Sequence, residues 1–298
     1  MRTLAAVMIG LSALTAATFA GDDGLSPEMR SLVERERAFA KRCRVVGVRA
    51  SFLEFFADDA IAFTPEPVKY KEAVKGLPPP SDPLAVRLEW APQTGDVSSS
   101  SDLGFTTGPS VRTDTRDSTV PKRFGQFLSV WKRQGDGSWK VAADIGVATP
   151  EQVSPLDGPF ERFGEPSTPL PADSTRDPLS VDRAFVRHCD SEGVIRGYHS
   201  YAGENIRILR EKHMTAVGIS DAESCVSREI AAAHWSPVSG GMASAGDLCY
   251  VYGRYAITPV SGSNLETGSY LHVWKRDRHG IWKLAAEATN PNPPEGAK

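Results

Sequence analysis

Two distant segments of the chain share one pattern of apolar and polar positions. GQFLSVWKRQGDGSWKVAADIG spans residues 125–146, and GSYLHVWKRDRHGIWKLAAEAT spans residues 268–289. In each, two runs rich in β-branched and aromatic residues flank a short polar turn, Gly135-Asp136-Gly137 in the first and Arg278-His279-Gly280 in the second. Such runs around a glycine turn predict an antiparallel β-hairpin. The chain is therefore predicted to contain the same hairpin twice.

The repetition extends upstream of the hairpins. ERAFAKRC at residues 36–43 returns as DRAFVRHC at 182–189, and SSSSDLGFTTG at 98–108 returns as ASAGDLCYVYG at 243–253. The order of these segments is kept and their spacing is nearly constant, which indicates a tandem duplication of a whole domain.

Each copy is predicted to begin with helices and to end with strands. Ser26-Pro27 and Asp177-Pro178 are typical of an N-cap followed by proline at the first helical position. A second short helix, VRASFLEFFA, is predicted from Val48, with Asp58-Asp59 ending it before the strand AIAF. Helices followed by a meander of strands indicate an α+β fold.

These patterns divide the chain into four parts: a signal peptide at 1–20, a first domain at 21–150, a proline-rich linker at 151–178 that we expect on the surface, and a second, diverged domain at 179–298. The signal peptide is predicted from Arg2, the apolar run after it and the small residues around Ala20. We therefore expect export to the periplasm or the extracellular space, with no membrane association after cleavage.

Charge, cysteine spacing and the absence of known motifs argue against several classes of function. The net charge of −3 gives no electrostatic reason to expect nucleic acid. Export makes disulfides possible, but the spacing of Cys43, Cys189, Cys225 and Cys249 does not choose among three pairings or free thiols. There is no zinc, phosphate-loop or nucleophile-elbow motif. We expect no cofactor and no metal.

In order and spacing, these segments resemble the NTF2-like superfamily, most closely its SnoaL-like and DUF4440-type branch. The segments are the helix pair, FADDA entering a strand, DLGFTTG, and VWKR followed by a glycine turn and WKV. The resemblance implies two tandem cone-shaped domains, each with helices packed on a curved antiparallel sheet around a pocket. It also implies pairing through the outer sheet faces, so we expect the two domains to form an internal pseudo-dimer. The superfamily includes isomerases, cyclases, dehydratases and binding proteins, so the resemblance names no single function.

Isomerase chemistry of the ketosteroid type is not expected. The resemblance places the catalytic base at Thr64 and Arg210, one stabilising group at Ser129 and His272, and the other at Ala40 and Val186. The first copy thus lacks all three groups, and the second has only His272. The altered strand NIRILREKHM at residues 205–214 must place Arg207 or Arg210 in solvent or beside an acid such as Glu204 or Glu211, because an unpaired buried charge is costly.

Candidate pocket residues lie on the hairpins. Asp144 and Glu287 are equivalent acids in otherwise apolar strands; they either face inward with a raised pKa or pair across the strand with Lys132 or Lys275. The tryptophans of the hairpins either line a pocket or pack in a core. Alternation places the following residues on the face that we expect to line the pocket: Phe127, Ser129, Trp131, Asp144, Tyr270, His272, Trp274 and Glu287.

Three functions are compatible with these patterns. The leading hypothesis is non-catalytic binding of a small, largely apolar molecule. The alternatives are a cofactor-free enzyme of the cyclase, isomerase or dehydratase type, and a structural or protein-interaction module. An open interior with a buried carboxylate would favour the enzyme, an open interior without one would favour binding, and filled interiors would favour the interaction module.

Overall fold

The computed structural model describes residues 24–171, 174, 177–262 and 265–293. The predicted signal peptide lies outside the described residues. Within them, no helix is long and apolar enough to cross a membrane.

The first domain consists of helices followed mainly by strands. Its elements are α1 (Pro27–Val46), α2 (Val48–Phe55), β1 (Phe56–Phe63), β2 (Pro67–Lys69), α3 (Tyr70–Val74), β3 (Val86–Trp90), β4 (Thr94–Val97), β5 (Leu103–Asp114), β6 (Arg123–Arg133) and β7 (Trp139–Thr149). A short strand, β8 (Glu161–Arg162), follows. The sheet order is β2-β1-β7-β6-β5-β4-β8, and β3 also pairs with β5.

The second domain repeats this order. Its elements are α4 (Pro178–Glu192), α5 (Val194–Tyr201), β9 (Ala202–Arg210), β10 (Ala216–Val217), α6 (Ile219–Glu229), β11 (Ile230–Met242), β12 (Leu248–Pro259), β13 (Glu266–Arg276) and β14 (Trp282–Pro291). The sheet order is β10-β9-β14-β13-β12-β11, which leaves β11 at an edge. The structure is α+β, as the element pattern predicts.

The first helix of each domain begins where the sequence predicts, but the second helix of the first domain ends earlier than predicted. The Ser26 hydroxyl accepts from the Met29 amide at 3.2 Å, and the Asp177 carboxylate accepts from the Leu179 amide at 3.0 Å. The second helix ends at Phe55, however, and residues 56–59 already belong to β1. Strand pairing overrides the helical pattern here, because Phe56 already pairs with Val141 of β7 and regular pairing resumes at Ile61.

The sheets are not wholly antiparallel, in contrast to what the resemblance implied. β1 runs parallel to β7, and β9 runs parallel to β14. Each of these pairs joins strands from opposite ends of its domain, so no hairpin turn requires an antiparallel arrangement.

Three apolar clusters stabilise the molecule. One lies between the helices and the sheet of the first domain and one between the helices and the sheet of the second. We call the helix-facing side of each sheet its inner face. The third cluster joins the opposite, outer faces of the two sheets, with Leu128 and Ile145 from one domain and Leu271 and Val273 from the other.

Hydrogen bonds between the domains are reciprocal. The Ser99 amide donates to Asp247 at 2.8 Å, and the Ser244 amide donates to Asp102 at 3.0 Å. Ser99 and Asp102 occupy the same places in the first copy as Ser244 and Asp247 in the second. Each domain therefore makes the same contact to the other, as in a two-fold arrangement.

The linker is not only a surface connection. Its strand β8 adds to the free edge of β4, and the flanking Phe160 and Phe163 are buried. The Lys275 ammonium of the second domain donates to Asp96 and to the carbonyls of Phe163 and Glu165. Two phenylalanines can be buried on opposite sides of an extended strand, which the proline-rich composition did not predict.

Candidate functional site

The interior of the second domain contains a closed network of polar side chains around His272. The imidazole Nδ1 is 2.7 Å from Asp182, on α4, and Nε2 is 2.9 Å from Glu287, on β14. Asp182 also accepts from the Tyr270 hydroxyl at 2.7 Å and from the Trp274 indole at 2.8 Å. Tyr198, on α5, donates to Glu287 at 2.6 Å. All six side chains are fully or almost fully buried.

The charge of His272 follows from its two carboxylate neighbours. Burial alone would lower the pKa of the imidazole, but Asp182 and Glu287 outweigh it and raise that pKa to about 9. At neutral pH both ring nitrogens are therefore protonated and donate to carboxylates. The ring has no free lone pair with which to act as a base or nucleophile.

The first domain has a related arrangement, without an imidazolium, around Glu36 on α1. This carboxyl group accepts from the indoles of Trp90 and Trp131 at 2.6 and 2.8 Å and from the Thr106 hydroxyl at 2.6 Å. Burial raises the pKa of Glu36 to about 7, and the charge of Asp144 adds to this increase. The three hydrogen bonds that Glu36 accepts lower its pKa and offset the increase only in part.

Asp144 and Glu287 occupy matching positions in the two networks. The Ser129 hydroxyl donates to Asp144 at 2.6 Å, where the second domain has His272 beside Glu287. Burial raises the pKa of Asp144 to about 6. The alternative pairs across the strand do not form: Lys132 is exposed, and Lys275 contacts Asp96 of the other domain.

The structure brings the residues named from the sequence together within each domain. Phe127 and Trp131 lie in the helix–sheet core of the first domain with Ser129 and Asp144 beside them, and Tyr270, His272, Trp274 and Glu287 lie in that of the second. The sequence patterns did not single out Glu36, Asp182 and Tyr198. Glu36 and Asp182 could have been found, since each lies three residues before the buried Phe39 or Phe185, on the apolar face of its helix.

Arg210 closes the interior of the second domain near the end of β9. Only 6% of it is exposed, and its guanidinium lies 3.0 Å from Glu229 and 3.3 Å from Glu266. The sequence predicted an acidic partner but named Glu204 or Glu211. Glu211 instead accepts from the Ala148 amide of the first domain at 2.7 Å, because the packing of the two domains brings it there.

Two cavities on the described part of the molecule lie outside both interiors. The first, of about 280 Å³, is a groove between linker residues 163–165 and the second domain, where Ile219, Arg276, Lys283 and Ala285 contribute to its walls. The second is a shallow surface depression beside His188 and His199. All four cysteines are buried and free.

Solved structures that are similar in fold to part of this chain include NTF2-like, ketosteroid isomerase-like and SnoaL-like proteins. A ketosteroid isomerase-like protein from Erwinia carotovora atroseptica is 14% identical, with a TM-score of 0.34, over 40% of this chain and 100% of its own. An NTF2-like protein from Cytophaga hutchinsonii is 17% identical, with a TM-score of 0.33, over 40% and 99%. A putative SnoaL-like polyketide cyclase from Jannaschia is 12% identical, with a TM-score of 0.29, over 40% and 91%.

Each similarity covers somewhat less than half of the chain and concerns the fold, not a reaction or ligand. No family model and no curated protein matches the chain.

Proposed function

We propose that this chain is a non-catalytic interaction protein, an internal pseudo-dimer that binds its partner on its outer surface. The observation on which this rests is the closed network around His272, in which both ring nitrogens face buried carboxylates and the neighbouring rings are packed. In the first domain, apolar side chains pack between the helices and the sheet. Packed interiors favour the interaction module over the pocket-binding protein and the enzyme.

The state of His272 tests this proposal. In protein labelled with ¹⁵N-histidine, we expect both ring N–H protons of His272 to be visible at pH 7 and to exchange slowly with water, because the imidazolium is buried and doubly hydrogen-bonded. The exposed His279 is the internal control and should exchange fast. A ring with one unprotonated nitrogen, or fast exchange at His272, would indicate an open acid–base site and contradict the proposal.

A second candidate function is small-molecule binding in the groove beside the linker. Its apolar wall, which includes Phe163, Ile219 and Ala285, and a rim in which basic side chains outnumber the acidic ones suit a small amphipathic anion. We expect 1-anilinonaphthalene-8-sulfonate to bind there and Ile219→Trp, which fills the groove, to abolish its fluorescence gain. Val45→Trp, at an exposed position on α1, is the matched control. Equal fluorescence from both variants would exclude the groove.

We also propose that the protein acts outside the cytoplasm, on the basis of its first twenty residues. Mass spectrometry of protein expressed in a bacterial host should find a mature chain beginning near Gly21. A chain in the exported fraction that still begins at Met1 would contradict cleavage.

A further inference from the structure

The two sheets differ at equivalent edges. In the first domain, β8 covers the edge of β4: the Glu161 amide donates to the Gln93 carbonyl at 2.9 Å, and the Phe163 amide donates to the Gly95 carbonyl at 2.7 Å. In the second domain the corresponding strand, β11, is the last in its sheet. We call residues 238–242 the β11 edge.

Strand register establishes that these edges correspond. Gly95 pairs with Thr106 on β5, and Gly240 pairs with Val251 at the same place on β12. Both glycines are required by a close approach of the backbone: a Cβ atom would lie 2.2 Å from the Phe105 carbonyl oxygen at Gly95 and 2.1 Å from that of Tyr250 at Gly240. The edge is therefore the same in both domains, and within the described residues only the added strand is missing from the second.

Residues of the β11 edge are more exposed to solvent than the equivalent residues of β4. All four residues of β4 are buried. In the β11 edge, residues 239–242 are only half-buried, and Val238 is 48% exposed. An exposed edge presents backbone N–H and C=O groups that another extended segment can bind.

The charged groups beside the two edges also correspond. Lys275 is placed next to the edge of the first domain, where it contacts Asp96 and lies 5.8 Å from the ring of Phe163. The residue of the first domain that is equivalent to Lys275 is Lys132. Lys132 pairs with Leu103 on the neighbouring strand, and Lys275 pairs with the equivalent residue, Leu248. Lys132 is exposed, and the residue equivalent to Asp96 is Gly241, so the second edge lacks both the strand and the carboxylate.

From these differences we infer that the β11 edge binds an extended segment of another protein as an added parallel strand. This inference rests on the proposed interaction role and names the kind of partner. By analogy with β8, the segment has two apolar residues three positions apart, one for each face of the sheet, and an acidic residue that pairs with Lys132. A second copy of this chain cannot supply it intact, because its own residues 160–163 already pair with β4.

The test uses a probe copied from the chain itself. A fluorescently labelled peptide with the sequence of residues 157–166, DGPFERFGEP, is added to the mature protein, and binding is followed by anisotropy and by amide hydrogen exchange. We expect exchange at residues 238–242 to slow by about tenfold or more. A peptide with alanine at both phenylalanine positions is the control and should not bind.

Protein variants test whether the charge of Lys132 contributes to peptide binding. Lys132→Ala should weaken peptide binding by about fivefold, whereas Lys122→Ala, at another exposed lysine of the first domain, should leave it unchanged. Three outcomes would overturn the inference: no slowing at residues 238–242, slowing confined to another surface, or a dimer that protects these residues without peptide. None of these outcomes depends on His272. The exchange of its ring protons is a separate test of whether the interior of the second domain is closed.

Discussion

Replacing Asp182 by asparagine is expected to lower the free energy of unfolding by about 3–5 kcal/mol, because it removes one of the two carboxylates that hold a buried imidazolium and leaves buried donors without their acceptor. Asp182 accepts from Tyr270, His272 and Trp274. His272 and Trp274 share one carboxylate oxygen and Tyr270 uses the other, so an amide that keeps its oxygen for the first two turns a donor group towards the Tyr270 hydroxyl. Urea unfolding followed by circular dichroism measures the change.

The matched control is Glu36→Gln in the first domain. Glu36 also accepts three hydrogen bonds, but its neighbours carry no positive charge and its pKa is about 7. At pH 5 the group is already neutral, so we expect the amide to cost about 1 kcal/mol. Equal losses in the two variants would show that the charge of His272 has no part in the stability of the second domain.

The effect of Asp182→Asn should also depend on pH. The folded pKa of His272 is raised to about 9 from 6.5. Its contribution to stability is therefore complete below about pH 6.5 and is lost as the pH rises through about 9, since the unfolded chain gives up that proton first. The difference between the wild type and Asp182→Asn should accordingly be largest at pH 6–7 and smaller at pH 9.5.

Replacing Lys275 by alanine is expected to cost about 2–4 kcal/mol and to release the linker. The ammonium group neutralises Asp96, which is 1% exposed, and binds the carbonyls of Phe163 and Glu165. Without it, Asp96 retains only Arg162 as a charged partner among the residues that the structure describes. Urea unfolding measures the stability, and limited proteolysis within residues 151–178 measures the release of the linker.

Lys132→Ala is the natural control for this experiment, since Lys132 is the equivalent residue of the first domain and is exposed. We expect its replacement to change the unfolding free energy by less than about 0.5 kcal/mol. If both variants lost the same stability, or if cleavage of the linker were unchanged in Lys275→Ala, the contact between the second domain and the linker would not be the one that holds β8 in place.

Features that depend on local periodicity were predictable from the amino-acid sequence. The N-caps at Ser26 and Asp177, the paired hairpins and the α+β order of each copy follow from side-chain spacing and turn residues, which act over a few positions. The same alternation placed Ser129 and His272 on one face with Trp131 and Trp274. The same reasoning could have identified the acids Glu36 and Asp182, because each lies on the apolar face of its helix.

Which of these side chains contact each other was not predictable before the fold was known. Asp182 and His272 are ninety residues apart, and no local pattern states that their side chains point at each other. Lys132 and Lys275 are equivalent in sequence, yet one is exposed and the other is 7% exposed in an ion pair with Asp96. The reason is physical: burial and electrostatic partners are set by the packing of distant elements, and the linker strand covers only one of two otherwise matching edges.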